Sequence, residues 1–223
     1  MNKYFEDLEK YINKLEGYKL PSYEELPSIS LYMEQVISYV GESIEPITKD
    51  TYSVLTPFMV NNYVKAKILE SPKNKKYNKE HIGYLLAISL LKPVTSMTNI
   101  ATIIELDKKF IKDKSKLYTY FKDLEDEVIQ NEAHRTKVRF DALNKSSKKK
   151  GKSNDASDEE LLNLTYIALR SYVESAISKL IADSIMQNIS NVVLPAKAQV
   201  NAKEEMRIEK RKAETEASKL KNR

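Results

Sequence analysis

Apolar side chains recur every three or four residues along most of the chain, which predicts a succession of amphipathic helices. Phe5, Leu8, Ile12 and Leu15 share one face of a helix over 2–16, and Gly17 supplies its C-terminal stop. An irregular segment follows, bracketed by Pro21 and Pro27. Ile29, Met33, Val36, Ile37, Val40 and Ile44 then stripe a second helix, capped by Ser28 or Ser30 and ended by Pro46. Residues 47–55 read as a polar linker. Thr56-Pro57 is the sharpest start signal in the chain. A threonine hydroxyl at the N-cap precedes a proline at the first helical position, where no amide hydrogen is needed. The short helix over 56–66 turns Met59, Val60, Tyr63 and Val64 inward and leaves Asn61, Asn62 and Lys65 outward. Ile68 and Leu69 form its apolar exit.

Residues 70–78 carry lysines and asparagines around a turn and suit a small two-stranded loop or an irregular arm. Asn78 caps a strongly apolar helix through Lys92, with Ile82, Leu85, Leu86, Ile88, Leu90 and Leu91 buried on more than one side, and Pro93 stops it. Another helix runs from Ser96 or Thr98 to Leu106, with Ile100, Ile103 and Ile104 inward. A longer one spans 115–133, striped by Leu117, Phe121, Leu124 and Val128. Residues 144–157 have the low complexity of a linker. Ser157 and Glu160 then have capping-box spacing before a helix to 189 marked by Leu162, Leu169, Val173, Ile177, Leu180 and Ile185. That helix is long enough for a dimer strut and equally suits the centre of a monomeric bundle. Pro195 ends it, and 196–223 is a charged tail, helical or disordered.

Composition supports an all-α or mainly α fold, because only 4 glycines and 7 prolines serve 223 residues and strand-rich folds need many turns. The absence of cysteine excludes disulfides, thiolate metal sites and cysteine nucleophiles. With glycines only at 17, 41, 83 and 151, neither a phosphate-binding glycine loop nor a nucleophile elbow can be written. His81 and His134 are the only histidines and lack zinc-enzyme spacing; His81 reads as a packed or capping residue. Glu24-Glu25 falls in a loop and Glu125-Asp126-Glu127 on a solvated helix face, with no opposing acid or base. These features point away from an enzyme, a cofactor or a metal. No run reaches the about 18 apolar residues of a membrane span, and the charged first ten residues lack a signal core, so the expectation is a cytoplasmic protein without a membrane partner.

Net charge is +5, and its distribution is uneven. Residues 1–55 hold 5 basic and 10 acidic side chains, whereas 56–80 hold 6 basic and 2 acidic. The basic turn therefore directly follows the Thr56 helix. Asparagine can pair with the major-groove edge of adenine, and lysine with guanine or phosphate. The candidate DNA-binding set is Thr56, Asn61, Asn62, Lys65, Lys67, Lys73, Lys75, Lys76 and Lys79. Read alone, the same residues suit a solvated helix face and an ordinary lysine-rich turn. Tyr77 reads as a core residue pinning that turn.

A capped short helix, a basic turn, a buried helix and a second short helix follow the order of a winged helix-turn-helix. Over this region the chain resembles the DNA-binding domain of the MerR family of bacterial regulators. Val60-Asn61-Asn62-Tyr63-Val64-Lys65-Ala66-Lys67-Ile68-Leu69 lies where that family has an arginine-tyrosine-tyrosine stretch and a glycine-leucine exit. Pro72 fits the wing proline, Lys75-Lys76-Tyr77 its end, and 96–104 the fourth helix. Asn61 replaces the arginine, Lys67 replaces the glycine, and the wing is shorter, so the family's arginine contact to the backbone is either absent or supplied by Lys65. The chain is also similar, over 20–106, to the YkrK-like bacterial proteins of unknown function. The marks are Leu20-Pro21, Glu25-Leu26-Pro27, Leu31-Tyr32-Met33, Leu55-Thr56, Met59 to Lys65, Lys76-Tyr77, His81-Ile82 and Tyr84-Leu85.

The resulting expectation is a non-catalytic regulator that binds double-stranded DNA reversibly. Helices over 1–46 pack on a MerR-like winged-helix domain over 47–106. A helical connector (107–143), a basic linker (144–157), a dimerisation or sensing helix (158–195) and the tail (196–223) follow. A homodimer would form through 158–189. The alternatives are a protein–protein adaptor on the same fold and a small-molecule sensor with an apolar pocket between helices.

Overall fold

The computed structural model describes residues 3–48, 55–111, 113–148 and 158–193. Among them the chain runs α1 (Lys3–Glu16), β1 (Leu31–Tyr32), α2 (Met33–Thr48), α3 (Pro57–Lys65), β2 (Lys76–Tyr77), α4 (Lys79–Leu91), α5 (Met97–Phe110), α6 (Lys114–Lys148) and α7 (Asp158–Val193). The protein is mainly α-helical. The side chains of Phe5 and Glu160, the Ser157 cap, residues 49–54 and 149–157, Pro195 and the 196–223 tail lie outside the described residues.

Local signals set the helix starts. Thr56 Oγ1 accepts from the Met59 amide at 3.3 Å, Asn78 Oδ1 from the His81 amide at 3.2 Å, and Ser96 Oγ from the Asn99 amide at 3.1 Å. Each cap satisfies one of the amide hydrogens that a helix start leaves without an intrahelical acceptor. α4 has no polar face along its middle. Ile82, Leu85, Leu86 and Ile88 are fully enclosed, by Val36 and Val40 of α2, Val60 and Tyr63 of α3, Ile100 and Ile104 of α5, and Tyr118 of α6 in one continuous core.

The segment between α1 and β1 belongs to this core through Tyr18, Leu20 and Leu26. Its backbone is anchored to α6, with Tyr118 Oη donating to the Pro21 carbonyl at 2.7 Å and the Leu20 amide donating to Asp126 Oδ1 at 3.1 Å. α1 lies along α6, where Ile12 and Phe140 form a second small core and Lys137 pairs with Glu16 at 2.6 Å. α7 meets α6 through Arg135 and Glu174 at 3.0 Å.

Several details differ from the periodicity. Leu31 and Tyr32 form a strand rather than a helix entry, pairing antiparallel with Tyr77 and Lys76. Ile29 lies outside the α2 stripe and is exposed. Pro46 sits inside the last turn of α2, which continues to Thr48. α5 extends to Phe110, and α6 continues from 133 to Lys148, through what reads as the start of a linker. On α6 the buried face is Tyr118, Asp126, Ala133 and Phe140, while Leu124 and Val128 are about half exposed. The reason is that α1 and the 18–26 segment, both with their own apolar residues, cover α6 from a side that its strongest stripe does not mark. The same packing buries Asp126, which accepts from Leu20 and Lys122, so Glu125-Asp126-Glu127 is not a wholly solvated face. α2 packs into the same core as α3 and α4.

Gly83 sets the distance between α4 and α6. A Cβ at this position would stand 2.9 Å from the Tyr118 ring, and that ring is held by its hydroxyl on Pro21. Gly41 of α2 has open space around the same position. Gly83→Ala should destabilise the protein by about 1–2 kcal/mol, the overpacking exceeding the helix-propensity gain. Gly41→Ala should be neutral or stabilise by up to about 1 kcal/mol. Thermal unfolding of the two variants checks the pair; equal shifts would contradict the close approach.

Candidate nucleic-acid interface

α3 is amphipathic in a way that follows from its length and partners. Val60 and Tyr63 are buried against α2 and α4, and Met59 and Val64 flank them. The opposite face presents Phe58, Asn61, Asn62 and Lys65, all exposed, at the i, i+3, i+4, i+7 spacing of one helical stripe. Phe58 is 73% exposed. The outward reading of Asn61, Asn62 and Lys65 therefore holds, and Phe58 joins them. Its place three residues before Asn61 is the signal for this, whereas its apolar side chain points the other way. Thr56 is exposed at the head of the stripe; its oxygen caps Met59, leaving the hydroxyl hydrogen for a second partner.

The exit from α3 is a tight left-handed stop. The Ile68 amide donates to the Tyr63 carbonyl at 3.0 Å, and the Lys67 amide to the Val64 carbonyl at 3.0 Å. This pair of bonds defines a Schellman motif, with Lys67 at its left-handed position, φ 58°. The residue that departs from glycine thus keeps the backbone shape that glycine favours. Ile68 and Leu69 turn back into the core, and Lys67 remains exposed.

The basic segment is a hairpin. Lys73 and Lys76 bridge, the Lys76 amide donates to the Lys73 carbonyl at 2.9 Å, and Asn74 and Lys75 both have positive φ, 53° and 61°. Two left-handed central residues are the signature of a type I′ turn, whose twist matches paired strands. β1 pairs with the far side of β2, so the tip at 73–75 is carried on two strands.

His81 locks the base of this hairpin to α4. One ring nitrogen, Nε2, lies 3.1 Å from the Glu70 carbonyl and the other, Nδ1, accepts from the Asn78 amide at 3.2 Å. Tyr77 is buried and packs edge-on to the imidazole at 5.5 Å. Both residues are structural, as their positions suggest. Tyr84 Oη donates to Asp107 Oδ2 at 3.1 Å and ties α4 to α5; burial raises the pKa of both groups.

The nine candidate residues divide into two groups. Thr56, Asn61, Asn62, Lys65, Lys67, Lys73 and Lys75 are exposed on α3, its exit and the hairpin tip. Lys76 and Lys79 are half-buried and already engaged. Lys76 Nζ lies 4.8 Å from the centre of the Tyr32 ring. Lys79 Nζ lies 4.9 Å from that of Tyr23 and donates to the Glu24 carbonyl at 3.3 Å. Among the described residues none of these six lysines pairs with a carboxylate, in contrast to Lys14, Lys122, Lys137 and Lys179. Also among the described residues, no group of three or more His, Asp or Glu could hold a metal ion, and no helix is long and apolar enough to cross a membrane.

A family model for a domain of unknown function (DUF1836) matches residues 21–124. The match runs from the segment before β1 through α5 and into the first third of α6, and so contains α3, the hairpin and α4. No curated protein and no solved structure matches the chain.

Lys67→Gly should stabilise the fold by about 0.5–1 kcal/mol by relieving the left-handed backbone, while Lys67→Val should destabilise it. Denaturant midpoints of the two variants check this; midpoints unchanged in both would contradict a strained exit.

Proposed function

We propose that residues 31–110 act as a winged helix-turn-helix-like unit of the MerR type that binds double-stranded DNA, in a protein that serves as a transcriptional regulator. The observation that carries this reading is the exposed stripe Phe58, Asn61, Asn62 and Lys65, followed within ten residues by a hairpin tip bearing Lys73 and Lys75. α3 enters the major groove. Asn61 or Asn62 pairs with an adenine edge, and Phe58 touches a thymine methyl. Lys65, Lys67, Lys73 and Lys75 neutralise phosphates and fix the register. The resemblance to MerR proteins supports the same assignment. Binding is reversible and requires no cofactor.

α7 supports a homodimer. Leu162, Tyr166, Leu169, Val173, Ile177 and Leu180 lie along one side of the helix, each more than half exposed. The stripe is about 27 Å long at 1.5 Å per residue. A second copy covering it would pair two DNA-binding units and set the half-site spacing. The same exposed stripe favours a second reading, an adaptor that docks a helix of another protein there.

Duplex binding measured by fluorescence anisotropy against salt tests the first reading. With about four phosphates neutralised, the log–log slope should be roughly −3 to −4. Lys65→Glu combined with Lys75→Glu should weaken binding and make the slope shallower by about 2. Both lysines are exposed and unpaired among the described residues, so folding should be unaffected. An unchanged affinity and slope in that variant would rule out this face.

A further inference from the structure

A cleft of about 650 Å³ opens between α1, the end of α2, the end of α4 and the middle of α6. Its walls are apolar, with Leu8 and Leu15 on one side, Ile47 and Leu91 behind, and Leu124 and Val128 on the other. This explains why the stripe residues Leu124 and Val128 are half exposed: they face the cleft rather than a neighbouring helix. The volume falls within the range of pockets that enclose drug-sized organic molecules.

The polar lining is sparse and of one sign. Glu125 and Glu132 contribute carboxylates, and among the described lining residues there is no lysine, arginine or histidine. Both carboxylate oxygens of Glu125 are shielded from solvent and have no hydrogen-bond partner among the described residues. The nearby Lys122 ammonium is taken by Asp126 at 2.6 Å. Burial, reinforced by the Asp126 charge, pushes the Glu125 carboxyl up to about 7. The Ser89 hydroxyl, also in the lining, is likewise shielded and has no hydrogen-bond partner among the described residues. A buried carboxylate with no donor is costly, and native folds leave few such groups unless something else satisfies them.

We propose that this cleft binds an amphipathic organic cation, its apolar body against the leucine and valine walls and its amino group met by Glu125 when that covered side chain turns toward the cleft. An anion is disfavoured by two carboxylates, and a neutral apolar molecule leaves Glu125 unsatisfied. The inference gives a ligand class to the sensor reading of the sequence and does not rest on duplex binding.

Isothermal titration of the full chain with 4,4-diphenylbutylamine, and with the corresponding alcohol and carboxylic acid, tests it. The amine should bind more tightly than the alcohol, and the acid least. Glu125→Gln should weaken the amine by at least about tenfold and leave the alcohol unchanged. That variant removes an unpaired buried charge and so should fold at least as well as the parent. Val128→Trp, placed on the half-exposed wall, should block all three ligands. No binding of the amine, equal affinity for amine and acid, or an amine affinity that ignores Glu125→Gln or Val128→Trp would each overturn the proposal.

Discussion

The enclosure of α4 is the constraint on which the rest of the fold depends. Ile82, Leu85, Leu86 and Ile88 are removed from water by four other helices, and each such burial contributes about 1.5–3 kcal/mol. Set against a typical net stability of about 5–15 kcal/mol, the loss of any one is a large fraction. The enclosure requires α6 to approach α4 closely, and Gly83 permits that by leaving room for the Tyr118 ring. Tyr118 in turn holds the 18–26 segment through Pro21, which brings Leu20 and Leu26 into the same core.

Both candidate sites are built on this helix, at opposite ends. At its start, Asn78 and His81 cap the helix and fasten the hairpin through Glu70 and Tyr77. At its finish, Ser89, Leu90 and Leu91 form part of the cleft wall. The exposed side chains of α3 and the hairpin tip are thus carried by a base fastened to α4, which the proposed readout of a groove requires. The amphipathic logic of α3 is local: Tyr63 and Val60 fix its inward face, and the outward face is what remains.

Much of this was legible in the chain because it is written in short-range signals. Thr56-Pro57, Asn78 and Ser96 marked helix starts by chemistry that acts within three residues, and Pro93 marked a stop in the same way. The inward and outward halves of α3 followed from spacing alone. β1 was not legible, since two residues have no periodicity and their pairing with 76–77 is a contact across more than forty positions. Pro46 misled because proline within a final helical turn breaks less than one at mid-helix. The reach of α6 and the burial of Asp126 depended on α1 and the 18–26 segment packing where no stripe announced them. Lys76 and Lys79 read as free cations, yet Tyr32, Tyr23 and Glu24 lie close enough to hold them. The lone carboxylate of Glu125 was hidden for a similar reason: its isolation is a property of four helices together.

Lysine acetylation footprinting by mass spectrometry, with and without a duplex at low salt, addresses the central claim most directly. The account predicts that Lys65, Lys67, Lys73 and Lys75 lose reactivity when the duplex is present, while Lys10 and Lys179 keep theirs. Undiminished labelling at those four positions, with protection confined to other lysines such as those of 145–152, would contradict it.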